Sequence, residues 1–151
     1  MDNASAADRP KGTIVTGVIG SDPHSVGNTI LAYALRNAGY KVVSLGTMVP
    51  PEEFIKAAVE AAADGILISS LSGYGEVEAR GFRQKCQEAG IGGILLYIGG
   101  NIVMGRLDQS EVERIFRDAG FDRAYPPGVH PDQVIRDLTA DFESRGLLRH
   151  G

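Results

Sequence analysis

The chain has 151 residues, 43% of them hydrophobic, which suits one globular domain with its own core and falls short of two ordinary ones. A formal net charge of -4, scattered without a basic face, argues against nucleic acid as a partner, and the apolar runs are far below the roughly 18 residues that span a membrane. No basic-then-apolar leader opens the sequence, so the expected compartment is the cytoplasm, and the single cysteine, Cys86, permits neither an internal disulfide nor a thiolate zinc cluster.

The first dozen residues, "MDNASAADRPKG", are small, polar and broken by Pro10, and read as a flexible extension over 1–12. The folded domain is expected over 13–145, with a short tail over 146–151. Within it β-rich runs alternate with helical patterns. "TIVTGVIG" precedes a helix over 26–38 with an apolar face of Ile30, Leu31, Ala34, Leu35 and Ala38. The entry of that helix carries Gly27, Asn28 and Thr29, weak helix formers that predict a poorly anchored first turn. "KVVSLG" then precedes a helix over 51–62, and "GILISS" one over 76–89, where Glu76, Glu78, Arg80 and Arg83 read as a solvated face. "GILLYIGG" precedes a helix over 109–119, and a short run at Asp122–Tyr125 leads to a last helix near 131–145. His130 falls in the lead-in to that helix and His150 in the tail, so neither reads as a ligand.

Ala38-Gly39, Ala89-Gly90 and Ala119-Gly120, each followed by an apolar residue, mark successive helix-to-strand returns. Five β-α units with runs apolar on both faces require a parallel sheet covered by helices on each side. The expected fold class is therefore α/β, a flavodoxin/Rossmann-like doubly wound five-stranded parallel sheet of order 2-1-3-4-5 in three α/β/α layers. In such a sheet ligands bind beyond the carboxyl ends of the strands where the order reverses, here between strands 1 and 3.

The unusual residues occur in those loops: "SDPHSVGN" after strand 1, "SSLSGYGE" after strand 3 and "GGNIVMG" after strand 4. A phospho-acceptor receiver domain would place an aspartate after strand 3, where this chain has Ser69-Ser70-Leu71. The glycines at 17, 20 and 27 lack the G-x-G-x-x-G spacing of a dinucleotide fold, and no G-x-S-x-G elbow is present. His24 is best explained as a metal ligand with Asp22 behind it, since a metal-bound imidazole commonly donates its other N–H to a carboxylate. Pro23 keeps the chain extended at Asp22, and Gly27 permits close approach to a bulky ligand. On its own, Asp-x-His is more often a hydrogen-bonded loop pair than a metal site.

D-x-H-x-x-G, S-x-L and G-G after successive strands resemble the cobalamin-binding domain family, in which a protein histidine replaces the cofactor's own base on cobalt. The blocks "GVIGSDPHSVGN", "NAGYKVVSLG", "SSLSGYGE", "KCQEAGIGGI", "GGNIVMG" and "FDRAYPPG" together resemble the small, cobalamin-binding subunits of glutamate mutase, also called methylaspartate mutase, from about Thr13 to about Leu138. The resemblance implies adenosylcobalamin as cofactor, His24 as the lower axial ligand of its cobalt, and Asp22 as hydrogen-bond partner of His24. Ser21, Pro23 and Ser25 would line the loop beneath the corrin, with Gly27 at the helix entry. Ser69, Ser70 and Leu71 would contact the displaced nucleotide tail in its channel beside the sheet. Gly99 and Gly100 would let the tail pass close to the backbone, Asn101, Ile102, Val103, Met104 and Gly105 would shape the wall, and Tyr125, Pro126, Pro127 and Gly128 would close the far end. Turn geometry for the glycines, strand-end hydrogen bonding for the two serines and an ordinary loop at Tyr125-Pro126-Pro127 are the plain alternatives.

The same resemblance implies the cofactor-binding half of an isomerase that rearranges L-glutamate to L-threo-3-methylaspartate. No catalytic residue is expected in this chain, which would be inactive alone. A large barrel subunit would bind substrate in a heterotetramer of two small and two large chains, with no nucleic acid and no membrane involved. A corrinoid methyl carrier, for which the helical bundle before strand 1 is missing, and a cobalamin-binding sensor module are the alternatives.

Overall fold

The computed structural model describes residues 10–19, 26–70, 79–100, 108–126 and 128–147. Five strands, β1 (Thr13–Val18), β2 (Lys41–Ser44), β3 (Gly65–Ser70), β4 (Leu95–Gly100) and β5 (Arg123–Tyr125), form one sheet of order β2-β1-β3-β4-β5. Every neighbouring pair is parallel. The helices are α1 (Val26–Asn37), α2 (Pro51–Ala61), α3 (Phe82–Glu88), α4 (Gln109–Asp118) and α5 (Pro131–Ser144). The fold and strand order are those expected from the alternation of elements.

Two apolar cores follow from the two faces of the sheet. On one face Val15, Ile66, Ile68, Leu96 and Ile98 pack against Phe54 of α2, Phe82 and Cys86 of α3, and Phe116 of α4. On the other Ile14, Leu67, Leu95 and Tyr97 pack against Leu35 of α1 and Val134, Leu138 and Phe142 of α5. The strands are apolar in continuous runs because both faces are buried. Burial also pushes the Cys86 thiol pKa up, which makes it a packing group.

Three local departures from the sequence reading have physical causes. The helix expected over 76–89 is interrupted: Arg80 and Gly81 form a turn, Gly81 takes φ +75°, and α3 begins only at Phe82. The buried face of α1 is Asn28, Ala32 and Leu35, whereas Ile30 is 53% exposed. Arg83, expected on a solvated face, is folded against the amino edge of the sheet with its side chain only 19% exposed. There its Nε donates to Gly120 O at 2.9 Å, Nη1 to the carbonyls of Gly92 and Ile94, and Nη2 to Asp122 Oδ2 at 3.1 Å.

The amino edge holds further ties of the same kind. Asp122 Oδ2 accepts from Leu96 N, and Asp122 Oδ1 accepts from Arg145 Nη2, which binds Gly93 O through its other nitrogen. Asp64 Oδ2 accepts from Thr13 N. Towards the opposite, carboxyl edge Gln109 Nε2 donates to Ala124 O of β5 at 2.9 Å, and it is there that the chain opens into a cavity.

Candidate functional site at the carboxyl edge of the sheet

Register builds the floor of the site. Val18 of β1 pairs with Ser69 of β3, Ser69 with Gly99 of β4, and Gly99 with Tyr125 of β5. Register partners in a parallel sheet share a face, so Ser69 near the end of β3, Gly99 near the end of β4 and Tyr125 at the end of β5 stand in one row. One row deeper lie Thr16, Leu67, Tyr97 and Arg123.

Above this floor α1 and α5 leave a cavity of about 370 Å³, within the range of small-molecule sites. Gly27, Asn28, Ile30 and Leu31 of α1 form one wall, and Pro126, Gly128, Val129, Pro131 and Val134 form the other. Leu31, Leu67 and Val134 make the interior largely apolar. The cavity lies beside the point where strand order reverses, as expected from topology.

Gly27, Ser69, Gly99, Gly100, Tyr125, Pro126 and Gly128 are thus brought together around one cavity. Ser70 is placed differently: it pairs with Gly100 on the following, opposite-facing row, is fully buried, and does not line the cavity. Ser21, Asp22, Pro23, His24, Ser25, Leu71, Asn101, Ile102, Val103, Met104, Gly105 and Pro127 lie outside the described residues. Among the described residues no group of three or more His, Cys, Asp and Glu side chains could hold a metal ion. His130 caps α5, its Nδ1 accepting from Asp132 N at 3.1 Å. No helix among the described residues is long and apolar enough to cross a membrane.

A polar network sits behind the floor. Tyr125 donates to Asp137 Oδ2 at 2.8 Å and Tyr97 donates to Asp141 Oδ2. Arg123 grips Asp141 through Nε at 2.8 Å and Nη2 at 2.9 Å, and lies 3.8 Å from Asp137. The two rings meet edge to face with centroids 5.8 Å apart. Burial first, and then these hydrogen bonds to carboxylates, pushes both phenol pKa values well above the ordinary range, so the hydroxyls remain donors. Arg123 in turn holds the Asp141 carboxyl below its usual range. The rings are therefore fixed as walls, with their polar tips engaged by α5.

Two details bear on whether a large cofactor suits this space. A Cβ built on Gly27 would meet nothing within 4 Å, so no protein atom requires glycine there, although glycine weakens a first helical turn. Asn28 is 4% exposed, yet its Oδ1 has no partner among the described residues. Empty room and an unanswered polar atom at one wall both fit a ligand that enters beside α1. Gly100 has a different reason: its φ of +101° is a conformation that L side chains rarely adopt.

Sequence reasoning missed Asn28, Leu31, Tyr97, Val129 and Val134 as lining residues. For Asn28 the signal was present, since it shares a helical face with Leu31 and Leu35 at spacings of three and seven.

Comparison with known proteins agrees with this geometry. The family described as the B12 binding domain matches residues 12–118. The glutamate mutase sigma subunit of Clostridium cochlearium is 57% identical over 132 residues, 87% of this chain and 96% of the relative. That of Escherichia coli O157:H7 is 43% identical, covering 89% of this chain and 91% of the relative. Among solved structures, the methanol:cobalamin methyltransferase complex of Methanosarcina barkeri superposes with a TM-score of 0.67 at 26% identity, over 87% of this chain and 48% of that one.

Proposed function

The chain belongs to the B12-binding family, among the glutamate mutase sigma subunits, and we propose that it is the cofactor-binding subunit of an adenosylcobalamin-dependent glutamate mutase. The observation that supports the cofactor reading is the single row Val18–Ser69–Gly99–Tyr125, which aligns three separate sequence motifs under one cavity of suitable size.

In this reading the cavity takes the nucleotide tail, with Ser69, Gly99 and Tyr125 beneath it and Gly27 at its entry. His24 would hold the cobalt and Asp22 would accept the other imidazole N–H, fixing the tautomer and raising the basicity of the ligand. Ser21, Pro23 and Ser25 support that loop, and Leu71 with Asn101 to Gly105 completes the wall. Bound adenosylcobalamin would supply the radical chemistry of the rearrangement. This chain's residues bind, orient and shield the cofactor, and no catalytic residue is assigned to them.

Substrate binding then belongs to a large barrel subunit, in a heterotetramer of two small and two large chains in the cytoplasm. The working domain is assigned to 13–145, between an N-terminal extension and a short tail. Mixing the purified chain with adenosylcobalamin and a candidate large subunit, and assaying conversion of L-glutamate to L-threo-3-methylaspartate, tests the proposal. Activity that requires all three components supports it. Cofactor binding without mutase activity in the reconstituted mixture would leave the chain a carrier or sensor and overturn the assignment.

A further inference from the structure

We infer that Asn28 determines which corrinoid the cavity accepts, its amide oxygen taking a hydrogen bond from a hydroxyl of the nucleotide tail. The inference rests on the reading that this cavity receives that tail. Among the described lining residues only Asn28, Ser69, Tyr97 and Tyr125 carry polar side-chain atoms. Both tyrosine hydroxyls are already donated to carboxylates of α5. The amide of Asn28 is different, because it is buried at the cavity wall with Oδ1 unpartnered among the described residues.

A buried acceptor left unmet is costly, and most such atoms in folded proteins have a partner. An amide oxygen only accepts, so the ligand must bring an O–H or N–H. A displaced dimethylbenzimidazole offers a bare ring nitrogen, an acceptor, and the phosphodiester of the tail offers acceptors only. The ribose hydroxyls are the donors at that end of the cofactor. They are also polar atoms that an otherwise apolar cavity must satisfy if the tail is to enter without loss. The same requirement gives selectivity: a corrinoid without the nucleotide brings no donor to Asn28 and gains nothing from it.

The test compares adenosylcobalamin with adenosylcobinamide, which lacks the nucleotide, by equilibrium dialysis against the full chain and its Asn28→Leu and Asn28→Ala variants. Leucine keeps the branched outline and removes the polar atoms, while alanine guards against a packing failure specific to the bulkier leucine. The expected result is a loss of cobalamin affinity of roughly tenfold in both variants, with cobinamide affinity unchanged. Equal losses for both corrinoids, or no loss for cobalamin, would overturn the role of Asn28 while leaving the tail site intact. A wild-type chain that binds cobalamin no more tightly than cobinamide would overturn the tail reading itself, and this inference with it.

Discussion

Tyr125, whose ring forms part of the cavity floor, is held by Asp137 at 2.8 Å, so a residue of the floor takes its position from the helix that also walls the cavity through Pro131 and Val134. Removing the hydroxyl with Tyr125→Phe keeps the wall and loses one hydrogen bond, an expected destabilisation of about 1 kcal/mol. Asp141→Ala goes further, because Arg123 and Tyr97 both lose their acceptor; about 2–3 kcal/mol is expected. Urea unfolding, read as a shift in midpoint at constant slope, measures both. Equal midpoints for wild type and Asp141→Ala would show that the network contributes no stability.

The same network sets a pH dependence at each end of the scale. Asp141 is depressed from its ordinary 3.8, chiefly by the hydrogen bond from Arg123. Its contribution is complete above that unfolded-state value and is lost as pH falls through the lower folded-state one. Tyr97 and Tyr125 are raised from 10.0, chiefly by burial. Their contribution is complete below 10.0 and is lost as pH rises towards the folded-state values. Unfolding free energies measured below pH 4 should fall less steeply in Asp141→Asn than in wild type.

Helix α2 ends on Ala62 at φ 51° and ψ 48°, a left-handed cap with a Cβ. The three returns read from Ala-Gly pairs use glycine at the equivalent place; here alanine bears the strain. Ala62→Gly should raise stability by about 1 kcal/mol. A thermal melt of the variant at or below the wild-type midpoint would contradict this.

Ligation by His24 predicts that His24→Ala removes nitrogen hyperfine structure from the electron paramagnetic resonance spectrum of the cobalt(II) complex. An unchanged pattern would rule the ligand out. Asp22→Asn should retain binding and lower affinity or activity by roughly 10–100-fold, as expected for a group that orients a metal ligand.

The first turn of α1 combines Gly27 over open space, an Asn28 whose Oδ1 has no partner among the described residues, and an exposed Ile30. Amides over 28–32 should exchange faster than those of β3 and β4 in the free chain, and slow when cobalamin is added. Equal protection with and without cobalamin would indicate a preformed wall.

The fold was legible because strand-helix alternation and Ala-Gly returns are local signals, and parallel pairing follows from them. The row Val18–Ser69–Gly99–Tyr125 was legible only in part. Each loop announced itself by composition, but the lateral alignment that puts Ser69 in the cavity and turns Ser70 away depends on register, which no single segment encodes. Ile30 misled for a related reason: as an apolar residue beside Leu31 it fits the helical stripe, yet the true buried face is rotated towards Asn28 and Ala32. Arg83 misled because a guanidinium is read as a surface group, whereas here it donates to carbonyls of two separate turns.

That arginine also separates two kinds of change that the sequence can undergo. Arg83, Asp122 and Arg145 fasten the amino ends of β4 and β5 together, at the pole of the molecule farthest from the cavity. Substitutions in the loops after β1, β3 and β4 therefore fall on ground whose anchorage lies elsewhere. A lineage can revise what it grips at one pole while the other keeps the strands in alignment, so innovation in the loops and solvency of the fold are inherited almost independently.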